Sequence, residues 1–499
     1  MASLAELTAA AVANTDPMAV SATTPRLGGV DPLGLRQINF DLMDQVLPDL
    51  NNVARLIRPF TITSWAWWRA AQLAGQRGGK KVSVEGSLRD FVDRIEVLYS
   101  WSQFLRDRNT ELPGRQVMQP LLREESYRFG GSSWKKRREA RRDSTSFSAA
   151  VNYGPTLKSF DWLSPHLEDA GVMIASEAAR PALEAFEKKL EPFLRHPAFS
   201  TLGAIEVSRK DVERWADHWA IDKPSAAEKK FMRAVLVGDR AAPVRRRGIQ
   251  FMLAVAEHIG SAEADKVRES MTRKASRLGL STDFDDVSLA WRRVQMRQAF
   301  RLALEALLSW LIRQLGRGPL STEQVVANLI EQADQPSNRK ASAWLDLFAP
   351  SSRSPVRMLN KITKALREGD DSDLVPAIIE GLAYCIREAP LHPQPFETRE
   401  RLPLSRARIE ADAWANGSTA DFARHIVESW VLAQHVYWSV GRGLADARSR
   451  GKTILRLKVV MEEGGWTLAP GVSSKPSIPR ATPDRLETAL SLCRECDLL

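Results

Sequence analysis

Apolar positions along most of the chain recur every three to four residues, which is the spacing of one face of an α-helix. The clearest case is VSLAWRRVQMRQAFRLALEALLSWLIRQL (287–315), where apolar residues recur at this period with arginines between them. The same period is found at 87–107, 179–195 and 418–449. The pattern therefore predicts a mainly α-helical protein, with a helix over each of these segments.

Strand-like alternation is rare, and its clearest example is ILRLKVVMEEGGWTLAP (454–470). Apolar and basic residues alternate there before an EGG turn, which is typical of a β-hairpin. After the hairpin, Thr482 is expected to cap the last helix and Pro483 to occupy its first position, because both residue types favour those places. The fold class is thus mainly α and multidomain, with a few short β-hairpins.

Clusters of proline, glycine and serine suggest where the chain divides, at 26–34, after Gly316, at 348–355 and at 389–405. A chain of 499 residues is long enough for about two to four domains. The predicted organisation is a disordered tail at 1–27, an N-terminal helical domain at 28–114, a winged-helix-like module with a basic run at 115–195, a helical domain at 196–318, a helical domain with irregular connectors at 319–417, and a C-terminal helix–hairpin–helix, winged-helix-like module at 418–499.

The two winged-helix-like modules are predicted from the order of their elements. Within 115–195, a helix and a basic run precede the short helix TLKSFDWL (156–163), the apolar segment GVMIA (171–175) and a further helix. Within 418–499, a helix precedes the predicted hairpin and the last helix. Helices that flank a small hairpin are typical of winged-helix domains.

Composition narrows the class of protein only modestly. Lys and Arg total 71 against 61 Asp and Glu, a formal net charge of +10, which suits a polyanionic partner without requiring one. The three cysteines fit the reducing cytoplasm and cannot build a disulfide framework. The most apolar segment, 302–315, is interrupted by Glu305 and Arg313 and is too short to span a membrane. We therefore expect a cytoplasmic protein without a membrane partner.

The densest concentration of charge is WKKRREARRDSTS (134–146), which follows the turn-forming sequence GGSS. Cations at this density neutralise several phosphates and give salt-sensitive affinity without base preference. A second basic run follows at 245–247, and an arginine stripe extends from Arg292 to Arg301. We predict DNA binding through the first two runs, with a solvated loop or a surface for an acidic protein as the alternatives. The predicted contacts are Lys135, Lys136, Arg137, Arg138, Arg141 and Arg142, here called the basic cluster, together with Arg245, Arg246 and Arg247.

The segment AGQRGGKK (74–81) matches a phosphate-binding loop only in part. If Gly79-Lys80 is aligned with the end of a Walker motif, Ala74 stands where a glycine is needed and Lys81 where a hydroxyl is needed. The preceding SWAWWRAAQL has helical rather than strand character. The segment is therefore interpreted as a helix C-cap at Gly75 followed by a basic turn.

Two clusters of aspartates could hold Mg²⁺ for a nuclease. They are Asp283, Asp285 and Asp286, and Asp370, Asp371 and Asp373. Since each group precedes a predicted helix, the favoured interpretation is stabilisation of the positive helix N-terminus. EKK tripeptides at 187–189 and 228–230 match the end of a restriction-nuclease motif, but that motif requires a strand and these segments have helical periodicity.

Histidines and cysteines give no clear chemistry in the sequence. His425, Glu428 and His435 fall on one predicted helix, but His435 is too far along it to share a metal with His425. Cys493 and Cys496 form a CxxC inside the last helix without a second pair of ligands, and are interpreted as ordinary helix residues. No catalytic residue, metal site or cofactor is predicted.

Parts of the chain resemble known bacterial sequences. NYGPTLKSFDWL…GVMIASEAARPALEAFEKKL (152–190) is similar to winged-helix segments in which a Tyr-led helix ends in Leu-Gly-Leu/Ile, a short strand follows, and a helix led by Thr-x-x-Gly contains Ala-Phe-Glu. FDWL at 160–163 and SEAA at 176–179 replace two of those motifs. RPFTITSWAWWR (58–69) and DRLETALSLCRECDLL (484–499) resemble poorly characterised helical proteins encoded beside helicases, ATPases or nucleases in anti-phage and anti-plasmid defence clusters. The resemblance implies an accessory role in defence against foreign DNA.

The resulting hypothesis is a non-enzymatic DNA-binding adaptor of a bacterial multi-protein defence system. It would contact DNA without sequence preference and dock a co-encoded ATPase, helicase or nuclease subunit, with specificity in that partner or in DNA shape. Two alternatives stay open: a protein–protein scaffold without DNA binding, held by Trp-rich apolar faces, and a cryptic Mg²⁺-dependent nuclease that uses Asp283 or Asp285.

Overall fold

The computed structural model describes residues 31–75, 84–140, 153–167, 171–334, 337–342, 354–392, 394, 397–441 and 456–499. These residues form a mainly helical protein with short two-stranded antiparallel sheets, which confirms the predicted fold class. The predicted tail at 1–27 and the basic turn after Gly75 lie outside the described residues. Among the described helices, none combines the length and apolar character needed to cross a bilayer.

The described residues group into two compact units, each built from two separate stretches of chain. Unit 1 contains residues 31–43 and Arg268–Thr482, and unit 2 contains Asp44–Val267 and Pro483–Leu499. This grouping differs from the six segments suggested by turn-forming residues. Such residues mark loops, but they carry no information on which helices bury their apolar faces together.

The first helix, α1 (Arg36–Met43), belongs to unit 1, and unit 2 follows it along the chain. The elements from there to the unit boundary are α2 (Ile57–Gly75), α3 (Val84–Arg106), α4 (Arg115–Met118), β1 (Ser126–Phe129), α5 (Ser132–Ala140), α6 (Gly154–Ser159), β2 (Leu163–Pro165), β3 (Met173–Ala175), α7 (Arg180–Leu190), α8 (Pro197–Ser200), β4 (Ile205–Ser208), α9 (Arg209–Trp215), α10 (Ala226–Leu236), α11 (Pro243–His258) and α12 (Ala264–Ser270).

The core of unit 2 is aromatic. Helix α2 packs against α3 and α7, and its fully buried Trp65 meets Phe186 edge-to-face at 5.4 Å between ring centroids. Trp215 and Trp219 are buried as their helical spacing suggests, and Trp215 lies 4.7 Å from Phe199. These tryptophans therefore stabilise the fold and are not platforms for bases.

Unit 2 contains two small sheets. Strands β1 and β4 are antiparallel, with Ser126 opposite Ser208 and Phe129 opposite Ile205. Strands β2 and β3 form a hairpin between α6 and α7. This hairpin falls in the segment 115–195, where the sequence showed only the apolar stretch of β3.

Unit 1 is organised around one long helix. Its elements after the boundary are α13 (Asp285–Leu315), α14 (Thr322–Gln332), α15 (Pro355–Glu368), α16 (Asp371–Glu388), α17 (Leu404–Trp414), α18 (Thr419–His425), a π-helical turn (Ile426–Ala433) that continues as helix over 434–441, β5 (Val459–Glu462) and β6 (Gly465–Leu468). Helix α13 packs against α15 and α16 and is buried on most of its circumference, as expected of a central core helix.

The hairpin predicted at 454–470 is confirmed for its described part, since β5 and β6 pair in antiparallel register from Val459–Leu468 to Glu462–Gly465. Gly465 has a φ of +113°, and a Cβ atom there would lie 2.5 Å from the carbonyl oxygen of Leu320. Only glycine fits this turn, because Leu320 also bridges to Trp466 and holds the hairpin close.

The predicted start of the last helix is wrong. Helix α19 spans Leu486–Glu495 rather than beginning at Pro483. The Gln298 side chain bonds both backbone groups of Thr482, accepting from its N–H at 2.9 Å and donating to its carbonyl at 2.6 Å. Because Thr482 is held in this way and Arg485 adopts a φ of +65°, the helix begins only after that residue.

Glu495 of α19 caps the first residue of α2. Its Oε2 accepts a hydrogen bond from the Ile57 N–H at 2.5 Å. Burial raises the pKa of Glu495 from 4.5 to about 7, although the Ile57 bond and the nearby Arg58 act in the opposite direction.

This raised pKa makes stability depend on pH. Between pH about 4.5 and 7, the folded protein keeps a proton that the unfolded chain has released, so the free energy of unfolding falls as pH rises. Glutamine does not titrate, so we expect Glu495→Gln to remove most of this change in the free energy of unfolding, which amounts to roughly 3 kcal/mol over the interval. The amide oxygen of the variant still accepts the Ile57 N–H. Urea unfolding from pH 5 to 8 measures this change. Glu487→Gln, on the same helix but exposed, is the control, and equal slopes in the wild type and Glu495→Gln would refute the assignment.

Candidate nucleic-acid interface

The chain enters α5, which carries the first four residues of the basic cluster, through a glycine turn. Gly130 has a φ of +83°, and a Cβ atom on it would lie 2.7 Å from the Cα of Ala204. Ala204 directly precedes β4, the partner of β1. A side chain at Gly130 would therefore push α5 away from the sheet, whereas Gly131 has its nearest neighbour at 3.9 Å.

Trp134 fixes the orientation of α5. It is only 2% exposed, and its ring packs edge-to-face on Phe129 at 5.0 Å and on Tyr127 at 6.3 Å. Its indole Nε1–H donates to Asp90 Oδ1 of α3 at 2.6 Å. A buried indole with a satisfied N–H holds one face of the helix against the unit.

Anchoring by Trp134 leaves the next two residues, Lys135 and Lys136, exposed to solvent. The helix continues through Arg137 and Arg138 to Ala140, while Arg141 and Arg142 lie outside the described residues. Lys135 and Lys136 are thus presented on an ordered helix rather than on a loop.

If α5 contacts DNA as predicted, Gly130→Ala should weaken that binding by displacing the helix. It should also destabilise the protein by about 1–3 kcal/mol because of strain at positive φ. Gly131→Ala, which has room for a methyl group, is the matched control and should behave like the wild type. DNA affinity and thermal unfolding of both variants provide the measurement. Equal behaviour of the two variants would show that the turn does not position α5.

The second basic run divides between core and surface. Arg245 is 1% exposed, donates from Nε to the Val235 carbonyl at 3.1 Å and pairs with Asp49. Its guanidinium also lies 4.4 Å from the centre of the Phe160 ring. Arg245 is therefore a structural residue and not one of the phosphate contacts that the sequence predicted. Arg246 is half-buried and Arg247 is exposed.

The arginine stripe of α13 is half-buried at Arg292 and Arg293 and fully buried at its other end. Arg297 donates to the carbonyls of Leu402 and Arg401 at 2.6 and 2.8 Å. Arg301 lies beside Glu305, with 2.6 Å between Nη1 and Oε1. Arg297 and Arg301 therefore hold loops and a buried carboxylate in place.

The carboxylate groups act at helix starts, as the favoured interpretation holds. Asp285, in the first turn of α13, accepts from the N–H and hydroxyl of Ser276, and these bonds keep its pKa below the usual range. Asp370 caps α16 by accepting from the N–H groups of Ser372 and Asp373. Within the described part of the chain, no group of three His, Cys, Asp or Glu residues is placed to hold a metal ion.

The histidines and cysteines named in the sequence lie in different environments. His425 bonds Glu410, whereas His435 is buried and bonds backbone groups of Pro32 and Lys458. Cys493 and Cys496 are buried and free, and burial raises the pKa of Cys493 to about 12. A thiol with such a pKa stays protonated and unreactive.

One exposed basic helix face was not recognised in the sequence. Arg357, Lys361, Lys364 and Arg367 lie exposed along α15, at spacings of three and four residues that place them on one side of the helix. Arg357 pairs with Glu269 at 2.7 Å and Lys361 pairs with Glu380. The periodicity of PVRMLNKITKALRE would have revealed this face.

No protein-family model, curated protein or solved structure matches the chain. Function must therefore be inferred from the geometry of the chain's own residues.

Proposed function

We propose that the protein binds DNA through the phosphate backbone, using the basic cluster on and after α5. The observation that carries the proposal is the Trp134 anchor, which fixes a helix whose next residues, Lys135 and Lys136, are exposed. Lysine and arginine side chains on a fixed helix contact phosphates, release counterions and read no base edges. The expected binding is therefore independent of sequence and sensitive to salt.

In this proposal the protein acts as an adaptor in bacterial defence against foreign DNA. It would hold DNA for a co-encoded ATPase, helicase or nuclease subunit, as the resemblance of residues 58–69 and 484–499 to proteins of defence clusters implies. The carboxylates considered for a nuclease are engaged at helix starts, which favours a binding role over cleavage by those residues.

Fluorescence anisotropy with labelled duplex and single-stranded DNA tests the proposal. Affinity should fall by about a thousandfold between roughly 50 and 200 mM salt if six cations contact phosphates. If the wild type binds neither form of DNA at low salt, the proposal fails and a protein–protein scaffold becomes the better account of the basic cluster.

A further inference from the structure

A second cluster of polar side chains, in unit 1, is centred on Glu410 of α17. Its Oε2 accepts from His425 Nε2 at 2.9 Å and from the Trp430 Nε1–H at 2.6 Å. Its Oε1 accepts from the Arg406 Nε–H at 2.6 Å. Although burial acts in the opposite direction, these three donors hold the pKa of Glu410 at about 2, so the group is a carboxylate at neutral pH.

The carboxylate determines which nitrogen of His425 carries the proton. An ionised carboxylate only accepts hydrogen bonds, so the contact at 2.9 Å requires Nε2 to be the protonated nitrogen. In the neutral ring, Nδ1 then has a free lone pair. The hydroxyl Oγ of Ser429 lies 3.4 Å from that Nδ1, within the longer range that nucleophile–base pairs show before substrate binds.

The segment that supplies these groups is not an ordinary α-helix. His425 ends α18, and the π-helical segment Ile426–Ala433 follows it and contributes Ser429 and Trp430. The π-helix is rare in proteins, and its short insertions in α-helices occur frequently at functional sites. The side chains of His425 and Glu410 remain 17% and 19% exposed, so the cluster is not sealed from solvent.

The same helix contains a second serine–histidine pair with the same spacing, in which the other nitrogen of the imidazole ring carries the proton. Ser439 Oγ lies 3.5 Å from His435 Nδ1, again four residues apart. There Nε2 accepts the Lys458 N–H at 2.9 Å, so Nδ1 carries the proton and donates to the Pro32 carbonyl at 2.9 Å. His435 is buried, which lowers its pKa to about 4. His435 therefore offers no lone pair to Ser439.

We propose that Ser429 is a nucleophile activated by His425, with Glu410 as the positioning residue, and that the cluster hydrolyses small carboxylic esters. Ser429 Oγ forms a bond to the acyl carbon while its proton passes to His425 Nδ1. The bond to the leaving alcohol breaks and that alcohol takes the proton from His425. Water then gives a proton to His425 Nδ1 and attacks the acyl carbon. The bond between that carbon and Ser429 Oγ breaks, the acid leaves, and Ser429 Oγ takes the proton from His425. This activity is independent of DNA binding.

Labelling with a fluorophosphonate probe tests the proposal directly. Ser429 Oγ would bond to phosphorus with loss of fluoride, and peptide mass mapping would locate the label. We expect the label on Ser429 in the wild type. His425→Gln should slow labelling by about a hundredfold or more, and Ser429→Ala should abolish both labelling and hydrolysis of p-nitrophenyl acetate.

Ser439→Ala is the matched control, and it should be labelled at Ser429 at the wild-type rate. Circular dichroism of each variant shows whether it folds, and the labelling of Ser429 in the wild type decides the question if His425→Gln does not fold. An unlabelled Ser429 in the wild type would overturn the proposal. So would a labelling rate that is equal in the wild type and a folded His425→Gln variant.

Discussion

Replacing all six cations of the basic cluster by alanine is expected to abolish most of the salt-sensitive DNA affinity. Each phosphate contact contributes about 0.9 to the slope of log affinity against log salt, so six contacts give a slope of about 5. Near 50 mM salt, the variant should bind DNA at least about a hundredfold more weakly than the wild type. Its slope of log affinity against log salt should be close to that of residual non-specific attraction. Anisotropy titrations at several salt concentrations measure both quantities.

The loss of a contact surface on α5 must be distinguished from the general effect of a lower net charge on DNA affinity. The double variant Lys135→Ala/Lys136→Ala removes two charges from α5, and Lys364→Ala/Arg367→Ala removes the same charge from the exposed face of α15. If α5 is the interface, the first pair lowers the salt slope by about 2 and the second leaves it nearly unchanged. Equal losses from both pairs would mean that DNA responds to the overall charge of the protein and that α5 is no specific site.

Cleavage assays decide between binding and the nuclease alternative. Asp285 bonds Ser276 at the start of α13, so Asp285→Ala is expected to affect stability slightly and DNA binding not at all. Incubating duplex DNA with Mg²⁺ and the wild type should leave the DNA intact. Cleavage that disappears in Asp285→Ala would instead establish the nuclease and displace the adaptor role.

The sequence predicted where helices lie far better than it predicted which of their faces are buried. Helix α13 begins within two residues of the predicted segment, because its apolar period continues for many turns. The same period made Arg297 and Arg301 look like a surface stripe, although both are fully buried. Their burial depends on carbonyls and a carboxylate from other segments, which no local pattern reveals.

The candidate sites show the same division between local and long-range information. Charge density alone located the cluster on α5, but the Trp134–Asp90 bond that orients the helix joins residues 44 positions apart. The spacing of His425 and Ser429 was visible in the sequence. What gives the pair a defined tautomer is Glu410, which comes from another helix, so the sequence offered no reason to single out Ser429.

Arg58→Met is expected to destabilise the protein by about 3–5 kcal/mol, which is the usual cost of leaving a buried charge without its partner. Arg58 and Glu228 are both 0% exposed and pair at 3.0 Å. The Arg58 Nε–H also donates to the Ala220 carbonyl at 3.2 Å, and its guanidinium lies 5.2 Å from the centre of the Phe186 ring. Urea unfolding followed by tryptophan fluorescence measures the loss.

The double variant Arg58→Met/Glu228→Leu separates the cost of an orphaned charge from the value of the pair. Well-packed apolar replacements of both partners often cost little, so the double variant should recover part of the stability lost in Arg58→Met, and the two changes should not be additive. Arg106→Met, which removes solvent-exposed pairs with Asp222 at 2.7 Å and Asp217 at 3.1 Å, should cost about 1 kcal/mol. If Arg58→Met costs as little as Arg106→Met, the buried Glu228 does not need Arg58 as a partner. The ion pair then adds little to the stability of unit 2, which would come from its aromatic core.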